Sequence, residues 1–358
     1  MKNILIVTGG SGGHVVPSIS LFEHLKKNFS VKMVSDLRGS KFINIMKFKY
    51  ELIDVPNLFL NPYLLPINII KYFFNIFKSI NFIRKNKINI LISTGGYMTF
   101  PFCVAAFILK KKIVLFEPNS FLGRSNRFAL KFSTKIICYD QYLKNFPKKY
   151  NFKKIILNPI LRKEIYNIKK NSISTKKEIK KILVIGGSQG ASFFDNNITE
   201  LIVEISKNQK LEVIQQLSNK DSLSILKEKY NKSNIKYNFF DFTDNSNEVY
   251  KDVDLAITRG GASTLAELSY LNIPYIAIPL PSAKDNHQFY NSNYYSEKNC
   301  CWIIDQEKFE ISKISNLIYN IFNNHEDYRQ KIYNLNKLTE KNTWSSINNH
   351  IIEVVNEN

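Results

Sequence analysis

Residues 3–14 read NILIVTGGSGGH, and residues 180–191 read KKILVIGGSQGA. Each is a short apolar run that leads through a glycine-serine loop into a segment of helical period. An apolar run bounded in this way is a strand buried on both faces. Glycines let the backbone turn tightly and approach a ligand. The helix that follows offers unpaired N–H groups to an anion. The same device therefore occurs once in each half of the chain.

Further strands are predicted at 89–93 and 112–116 in the first half, and at 211–216, 235–240, 253–257 and 274–278 in the second. Helices are predicted at 15–27 and 66–86, and the tail 309–356 has helical period. Alternating strands and helices make an α/β chain with parallel sheets covered on both faces. The 358 residues exceed the size at which one core stops growing. The reading is two Rossmann-like domains facing across a cleft. The first spans 1–158, a polar linker 159–179, and the second 180–340. A final helix, 341–358, is expected to pack back on the first domain.

Lys and Arg number 50 against 30 Asp and Glu, a formal charge of +20. That excess favours anionic partners, namely phosphates, nucleic acid or an acidic membrane surface. The abundance of Lys, Asn, Ile, Phe and Tyr is equally what an AT-rich genome gives, so the charge alone names no partner. Cys103, Cys138, Cys300 and Cys301 form no CxxC pair and have no His cluster beside them, which argues against a disulfide framework or a zinc site. The first apolar run is too short for a signal peptide and flows into the glycine loop. No uninterrupted apolar run reaches membrane-spanning length.

The first loop, Gly9 to His14, is not a Walker A loop, because no Gly-Lys-Ser/Thr follows. It fits GxGxxG poorly, since Val15 stands at the third glycine. Asp36, after the second strand, keeps a nicotinamide enzyme open as a ribose-binding acid. A lone histidine is more often structural, but His14 ends a glycine loop at a helix start, where its imidazole can accept a proton near neutral pH. Thr94-Gly95-Gly96-Tyr97 follows the next strand and is either an ordinary strand-to-helix turn or a diphosphate cradle. Glu117-Pro118-Asn119 lines the same edge. In the second half, Ser188 is placed against a nucleotide phosphate. Arg259-Gly260-Gly261 opens the helix of Ala262, Ser263, Thr264, Leu265, Ala266 and Glu267, a second anion site. Spacing alone reads Glu267 as a solvated helix residue, although a carboxylate there can accept from both ribose hydroxyls. Asp285-Asn286-His287-Gln288 is a polar cluster at the carboxyl-end edge, where open α/β sheets bind ligands.

Residues 58–83 are apolar but interrupted by Pro62, Pro66, Lys71 and Lys78, so an interfacial helix fits better than a spanning one. Phe73, Phe74, Phe77 and Ile80 fall largely on one side, partly as core. Phe107 and the run Lys110–Lys112 extend the same patch.

TGGSGGHVVP, GGYMTFP, EPN, NPILR, GGSQGA, TRGGASTLAE and PLPSAKDNHQ occur in one order along nearly the whole chain. Together they resemble the MurG family of UDP-N-acetylglucosamine transferases, which complete lipid II, the peptidoglycan precursor. The resemblance implies a GT-B fold, with the sugar donor in the C-terminal domain and the lipid acceptor on the N-terminal one. It implies an inverting hexosyltransferase moving GlcNAc from UDP-GlcNAc to the MurNAc C4 hydroxyl of undecaprenyl-linked lipid I. The process served is peptidoglycan synthesis, and through it cell shape and division. By position, Ser11, Gly12 and Gly13 lie at the sugar and diphosphate, and Asn119 contacts the donor sugar region. Ser188 meets the donor phosphate, main chain near Thr243 reads the uracil, and Ala262 to Thr264 surround the diphosphate. Leu265 and Ala266 continue that substrate-binding stretch to Glu267, which binds ribose, and Gln288 contacts the sugar hydroxyls. Gly95, Gly96 and Tyr97 cradle the acceptor diphosphate, and His14 matches the candidate general base. Helix N-termini, loop amides and Arg259 offset charge on the diphosphate. No DxD-like carboxylate cluster stands out, so neither an obligatory metal nor a cofactor is expected. The family pattern Asn-Pro-Val-Arg is one residue longer here, Asn158-Pro159-Ile160-Leu161-Arg162, which puts the Arg162 role in question. Docking from the cytoplasmic face of the inner membrane, on anionic lipid, is also implied.

Three other readings compete. A UDP-GlcNAc 2-epimerase needs acidic catalytic residues in the cleft and no membrane patch. A diacylglycerol glycosyltransferase shares the second-half motifs but not GGSGGH with GGYMTFP. A nucleic-acid-binding protein has no RNA-binding or helix-turn-helix signature to support it.

Overall fold

The computed structural model describes residues 1–53, 55, 65–171, 179–186, 191–217, 221–241 and 245–357. Two units are distinguished: Met1–Lys163 with Asn342–Asn358, and Glu164–Lys341.

The first unit alternates β1 (Asn3–Val7), α1 (Gly12–Leu25), β2 (Ser30–Ser35), α2 (Leu37–Ile45), β3 (Glu51–Leu52), α3 (Leu65–Lys85), β4 (Ile90–Ser93), α4 (Thr99–Ile108), β5 (Lys112–Glu117), α5 (Arg124–Ala129), β6 (Lys135–Cys138) and β7 (Lys154–Ile156). Its described strands form one parallel sheet in the order β3-β2-β1-β4-β5-β6-β7. The second unit runs β8 (Lys181–Ile185), α6 (Ala191–Phe193), α7 (Thr199–Ser206), β9 (Glu212–Gln216), α8 (Ser222–Lys232), β10 (Lys236–Phe240), α9 (Ser246–Tyr250), β11 (Leu255–Thr258), α10 (Ala262–Tyr270), β12 (Tyr275–Ala277), α11 (His287–Ser296), β13 (Trp302–Ile303), α12 (Ile311–Asn323) and α13 (His325–Thr339). Its parallel sheet is ordered β10-β9-β8-β11-β12-β13. In both sheets the strand order reverses beside the first strand of the unit. That switch point is where doubly wound sheets open a crevice at their carboxyl ends. It lies between β1 and β4 in one unit and between β8 and β11 in the other.

Alternation along β1 divides the first core. Leu5 and Val7 face Leu91, Phe102 and Leu115, whereas Ile4 and Ile6 face Leu21, Leu25 and the last helix, α14 (Trp344–Asn356). Ile347, Ile351, Val354 and Val355 of α14 complete that second layer. Lys112 Nζ donates to the Val354 carbonyl at 2.7 Å, capping the end of α14. The second unit buries Ile182 and Val184 of β8 with Leu255, Ile257, Ile318 and Ile332.

The segment expected as a linker is packed where it is described. Ile160 and Leu161 are buried, and the Ile160 N–H donates to the Tyr139 hydroxyl at 2.9 Å. Beyond Lys163, Ile165 is buried and the Asn171 N–H donates to the Leu271 carbonyl in the second unit. Residues 172–178 lie outside the described residues.

His24 of α1 stacks on Trp344 of α14 with ring centroids 3.7 Å apart and planes 17° apart. Burial lowers its imidazole to about 4, against a hydrogen bond to Asn348 that works the other way. Between that value and the unfolded value near 6.5, the unfolded chain binds a proton that the folded one does not. Stability therefore rises with pH across this window and falls as pH drops through it. His24→Phe keeps the stack and removes the titration. Thermal unfolding from pH 7 to pH 4 should show a smaller fall in Tm for His24→Phe than for the unsubstituted chain.

Candidate active site

At the β1/β4 switch point, the Thr94 hydroxyl donates to the Thr8 hydroxyl at 2.9 Å and the Thr94 N–H to the Val7 carbonyl at 3.2 Å. The two strand ends are thereby clamped before either loop departs. Ser11 is the N-cap of α1, so the Gly12 and Gly13 N–H groups have no helical acceptor. Ser11 and Gly12 are half-buried and Gly13 is exposed, so these donors sit at an accessible surface. His14 is half-buried, and its Nδ1 lies 2.8 Å from the Thr94 carbonyl. A carbonyl oxygen only accepts, so in the neutral ring Nδ1 carries the proton and Nε2 the basic lone pair.

The loop after β4 lies against that imidazole. Gly95 and Gly96 have φ of +87° and +84°, which side chains rarely adopt. A Cβ at Gly95 would meet His14 Cε1 at 3.4 Å and Asn126 Nδ2 at 3.3 Å. Two carboxylates hold the surrounding turns. Asp36 Oδ1 accepts from the Gly10 N–H at 2.9 Å and the Gly39 N–H at 2.8 Å, and Oδ2 accepts from the Tyr97 hydroxyl. Burial and this carboxylate push the Tyr97 phenol up to about 12, so it stays a donor. Asp36 is buried in this role, which removes it as an exposed ribose ligand and with it the nicotinamide reading. Glu117 Oε1 accepts from Asn119 Nδ2 at 2.9 Å, and Oε2 from the Gly123 N–H at 2.9 Å and Asn126 Nδ2 at 3.1 Å. Asn119 is thus oriented by Glu117, half-buried at the same edge. Arg162 is buried among the last residues of the first unit. The Lys163 N–H beside it donates to Glu23 of α1 at 2.9 Å.

In the second unit, Ser188 and Thr243 lie outside the described residues. The Arg259–Gly261 turn is held by α11. Gln288 Oε1 accepts from the Gly260 N–H at 3.2 Å and the Leu280 N–H at 3.0 Å, and Asn291 Nδ2 donates to the Gly260 carbonyl at 2.9 Å. The Gln288 side-chain oxygen is therefore engaged with backbone. Asp285 and Asn286, just before it, have φ of +56° and +52°. Ala262, Ser263 and Thr264 are half-buried in the first turn of α10, where backbone N–H groups lack helical acceptors.

Three expectations change here. Leu265 and Ala266 face the core, and the Leu265 N–H is taken by the Gly261 carbonyl, because the helical register turns them away from the open turn. Arg259 is buried, donates from Nη1 to the Ile278 carbonyl at 3.0 Å, and lies 4.7 Å over the Phe194 ring. Burial lowers it to about 10, which leaves it charged at neutral pH, but it is a buried cation rather than an open phosphate clamp. Glu267 is not solvated: it is buried and accepts from the Tyr250 hydroxyl at 2.7 Å. Sequence reasoning missed Tyr250, Asn126 and Asn291, whose partners lie elsewhere in the chain.

On α3 the apolar residues divide between two faces: Tyr72, Ile80, Phe82 and Ile83 pack on the core, while others face out. Phe73, Phe74 and Phe77 are 61 %, 63 % and 64 % exposed, and Phe107 of α4 is 52 % exposed, whereas Asn68, Asn75 and Ser79 are buried. Ile80 departs from the exposed group and packs on the core, since it lies one residue from Ser79 on the inner side. Lys71, Lys78 and Arg84 are exposed along the same helix. Among the described residues, no cluster of three or more His, Cys, Asp or Glu could hold a metal.

Adjacent glycines should respond differently to alanine. A Cβ at Gly260 would meet the Gln288 carbonyl oxygen at 2.2 Å, whereas at Gly261 the nearest atom is 3.9 Å away. Denaturant unfolding should show Gly260→Ala costing about 3 kcal/mol or more, and Gly261→Ala, an N-cap change, about 1 kcal/mol or less.

Residues 4–138 match the N-terminal domain of glycosyltransferase family 28, and residues 181–346 match its C-terminal domain. The chain is 44 % identical over 357 residues to the UDP-N-acetylglucosamine–N-acetylmuramyl-(pentapeptide) pyrophosphoryl-undecaprenol N-acetylglucosamine transferase of Pelagibacter ubique (strain HTCC1062), covering 100 % of this chain and 99 % of that one. It is 35 % identical over 338 residues to the transferase of the same description from Rickettsia felis (strain ATCC VR-1525 / URRWXCal2), covering 90 % and 92 %. The crystal structure of Acinetobacter baumannii MurG superposes with a TM-score of 0.74 at 18 % identity, covering 99 % of this chain and 100 % of that one, a likeness of GT-B fold. With both domains matched and relatives aligned along nearly its whole length, the chain belongs to glycosyltransferase family 28, among the N-acetylmuramyl-(pentapeptide) pyrophosphoryl-undecaprenol N-acetylglucosamine transferases.

Proposed function

We propose that this chain transfers N-acetylglucosamine from UDP-N-acetylglucosamine to the C4 hydroxyl of N-acetylmuramic acid on pyrophosphoryl-undecaprenol, inverting the anomeric centre. The observation that carries the reading is the 2.8 Å contact of His14 Nδ1 with the Thr94 carbonyl beside the glycine loops, in a chain 44 % identical to a transferase of that description. In this reading His14 Nε2 accepts the proton of the acceptor hydroxyl as its oxygen attacks the anomeric carbon, and UDP leaves from the opposite face. The amides of Gly12 and Gly13, with the Gly95–Tyr97 loop, line the acceptor diphosphate. The first-turn amides of α10 take the donor diphosphate, where fixed N–H dipoles stabilise charge on the leaving UDP without reorganising. Glu267 receives the ribose, Gln288 donates from Nε2 to sugar hydroxyls, and Asn119 lies at the donor sugar. Ser188 and the main chain near Thr243 are assigned to phosphate and uracil, and Arg162 to an auxiliary role in substrate binding. Arg259 contributes charge from within the unit.

The same reading places the enzyme on the cytoplasmic face of the inner membrane. The outer face of α3 supports this, because its three exposed phenylalanines, with Phe107 of α4 and the lysines beside them, suit an anionic lipid surface. No helix among the described residues is long and apolar enough to cross a membrane.

The test is transfer of labelled N-acetylglucosamine to a lipid I analogue. The unsubstituted chain should yield the disaccharide product. His14→Ala should retain UDP-N-acetylglucosamine binding and lose turnover by about 10²- to 10⁴-fold; near-full turnover would remove His14 as the base. Burying each phenylalanine contributes about 1.5–3 kcal/mol. Sedimentation with anionic vesicles should therefore fall at least about tenfold in the Phe73→Asp/Phe77→Asp double variant, with UDP-N-acetylglucosamine binding unchanged.

A further inference from the structure

The helix that carries the exposed phenylalanines is tied to the glycine loop beside His14 by a side chain. Tyr72 lies on the inner face of α3, is buried, and packs on Phe100 of α4 with ring centroids 5.4 Å apart. Its hydroxyl donates to the Tyr97 carbonyl at 2.8 Å. Its neighbours in sequence, Phe73 and Phe74, point outward. The rest of the buried stripe offers the loop little. Asn75 Nδ2 bonds to the Lys71 carbonyl at 2.9 Å, and the Ser79 hydroxyl to the Asn75 carbonyl at 2.7 Å, both within α3. Asn75 Oδ1 is buried with no hydrogen-bond partner among the described residues. Ile80, Phe82 and Ile83 pack the inner face of α3 on the core without bonding to the loop, and Tyr72 supplies its hydrogen bond to the Gly95–Tyr97 loop.

We propose that Tyr72 is a positioning residue that sets the height of the Gly95–Tyr97 loop relative to the lipid-facing side of α3, so that seating the helix on a membrane also seats the loop on the acceptor diphosphate. This rests on the acceptor-loop and membrane readings above. The acceptor arrives with its lipid tail in the bilayer, so its diphosphate lies at a depth that the bilayer fixes. A loop that must meet it gains from an anchor on the element that rests on that bilayer. The loop is already fixed on its other side, since Tyr97 donates to Asp36 and the Thr94 carbonyl accepts from His14. Burial pushes the Tyr72 phenol up, so it remains a hydrogen-bond donor across the working pH range.

Tyr72→Phe removes only the hydroxyl. Losing one buried hydrogen bond corresponds to a change of about three- to tenfold. In vesicles of anionic phospholipid holding the undecaprenyl acceptor, KM for the acceptor should rise by about that factor. KM for UDP-N-acetylglucosamine should be unchanged. Ser79→Ala, which alters the same helix face without touching the loop, should keep the acceptor KM. An unchanged acceptor KM in Tyr72→Phe, or an equal rise in both KM values, overturns the proposal while wild-type transfer leaves the assigned reaction standing. Should Tyr72→Phe fail to fold, amide hydrogen exchange on the unsubstituted chain decides. Binding to acceptor-free anionic vesicles should slow exchange at Gly95, Gly96, Tyr97 and Met98. Vesicle binding with no such change overturns the coupling, and no vesicle binding overturns it together with the membrane reading.

Discussion

A carbonyl oxygen accepts and cannot donate, and the one at Thr94 lies 2.8 Å from His14 Nδ1. That contact orients the ring, assigns its tautomer, and connects the two loops that leave the β1/β4 switch point. It demands glycines on the facing loop, because Gly95 and Gly96 pass the imidazole in a left-handed conformation at van der Waals distance. It also demands that β1 and β4 keep their register, which the Thr8–Thr94 hydroxyl pair and the parallel ladder between them secure.

Around this contact, buried carboxylates do structural work that their chemistry alone would not suggest. Asp36 gathers the β1 loop, the start of α2 and Tyr97. Glu117 gathers the Asn119 turn and the start of α5. Each accepts from several N–H or O–H donors, which is how a buried carboxylate is made tolerable. The second unit uses a neutral group for the same purpose: Gln288 bridges two backbone N–H groups, and α11 presses so close to Gly260 that no side chain fits there. In both units the turns at the switch point are thus held by hydrogen bonds from within the same unit.

The parts legible in the sequence were those with local signatures. Central strands such as Ile90–Ser93 and Leu255–Thr258 are unbroken apolar runs, and the glycine loops announce themselves by composition. The two-residue edge strands were not legible, although the longer edge strand Lys236–Phe240 was: Glu51–Leu52 and Trp302–Ile303 are too short to show a period. The ties within the site were equally hidden. Asp36 and Tyr97 stand 61 residues apart, and Tyr250 meets Glu267 across a strand and a turn, so no spacing rule joins them. At Leu265 and Ala266 the helical register turns the side chains into the core, which the motif alone does not reveal. The apolar face of α3 could be read as half core from its composition. Part of it is core, since Tyr72, Ile80, Phe82 and Ile83 pack inward, but Asn68, Asn75 and Ser79 share that inner side, and Phe73, Phe74 and Phe77 face out.

The most direct measurement is nitrogen-15 NMR of the ring of His14, labelled in an otherwise unlabelled chain, near neutral pH with UDP bound. The account predicts a neutral imidazole protonated at Nδ1, with Nε2 carrying the lone pair. A ring protonated at Nε2 and bare at Nδ1 would contradict it, because Thr94 would then face a lone pair and His14 would have no basic nitrogen to offer the acceptor hydroxyl.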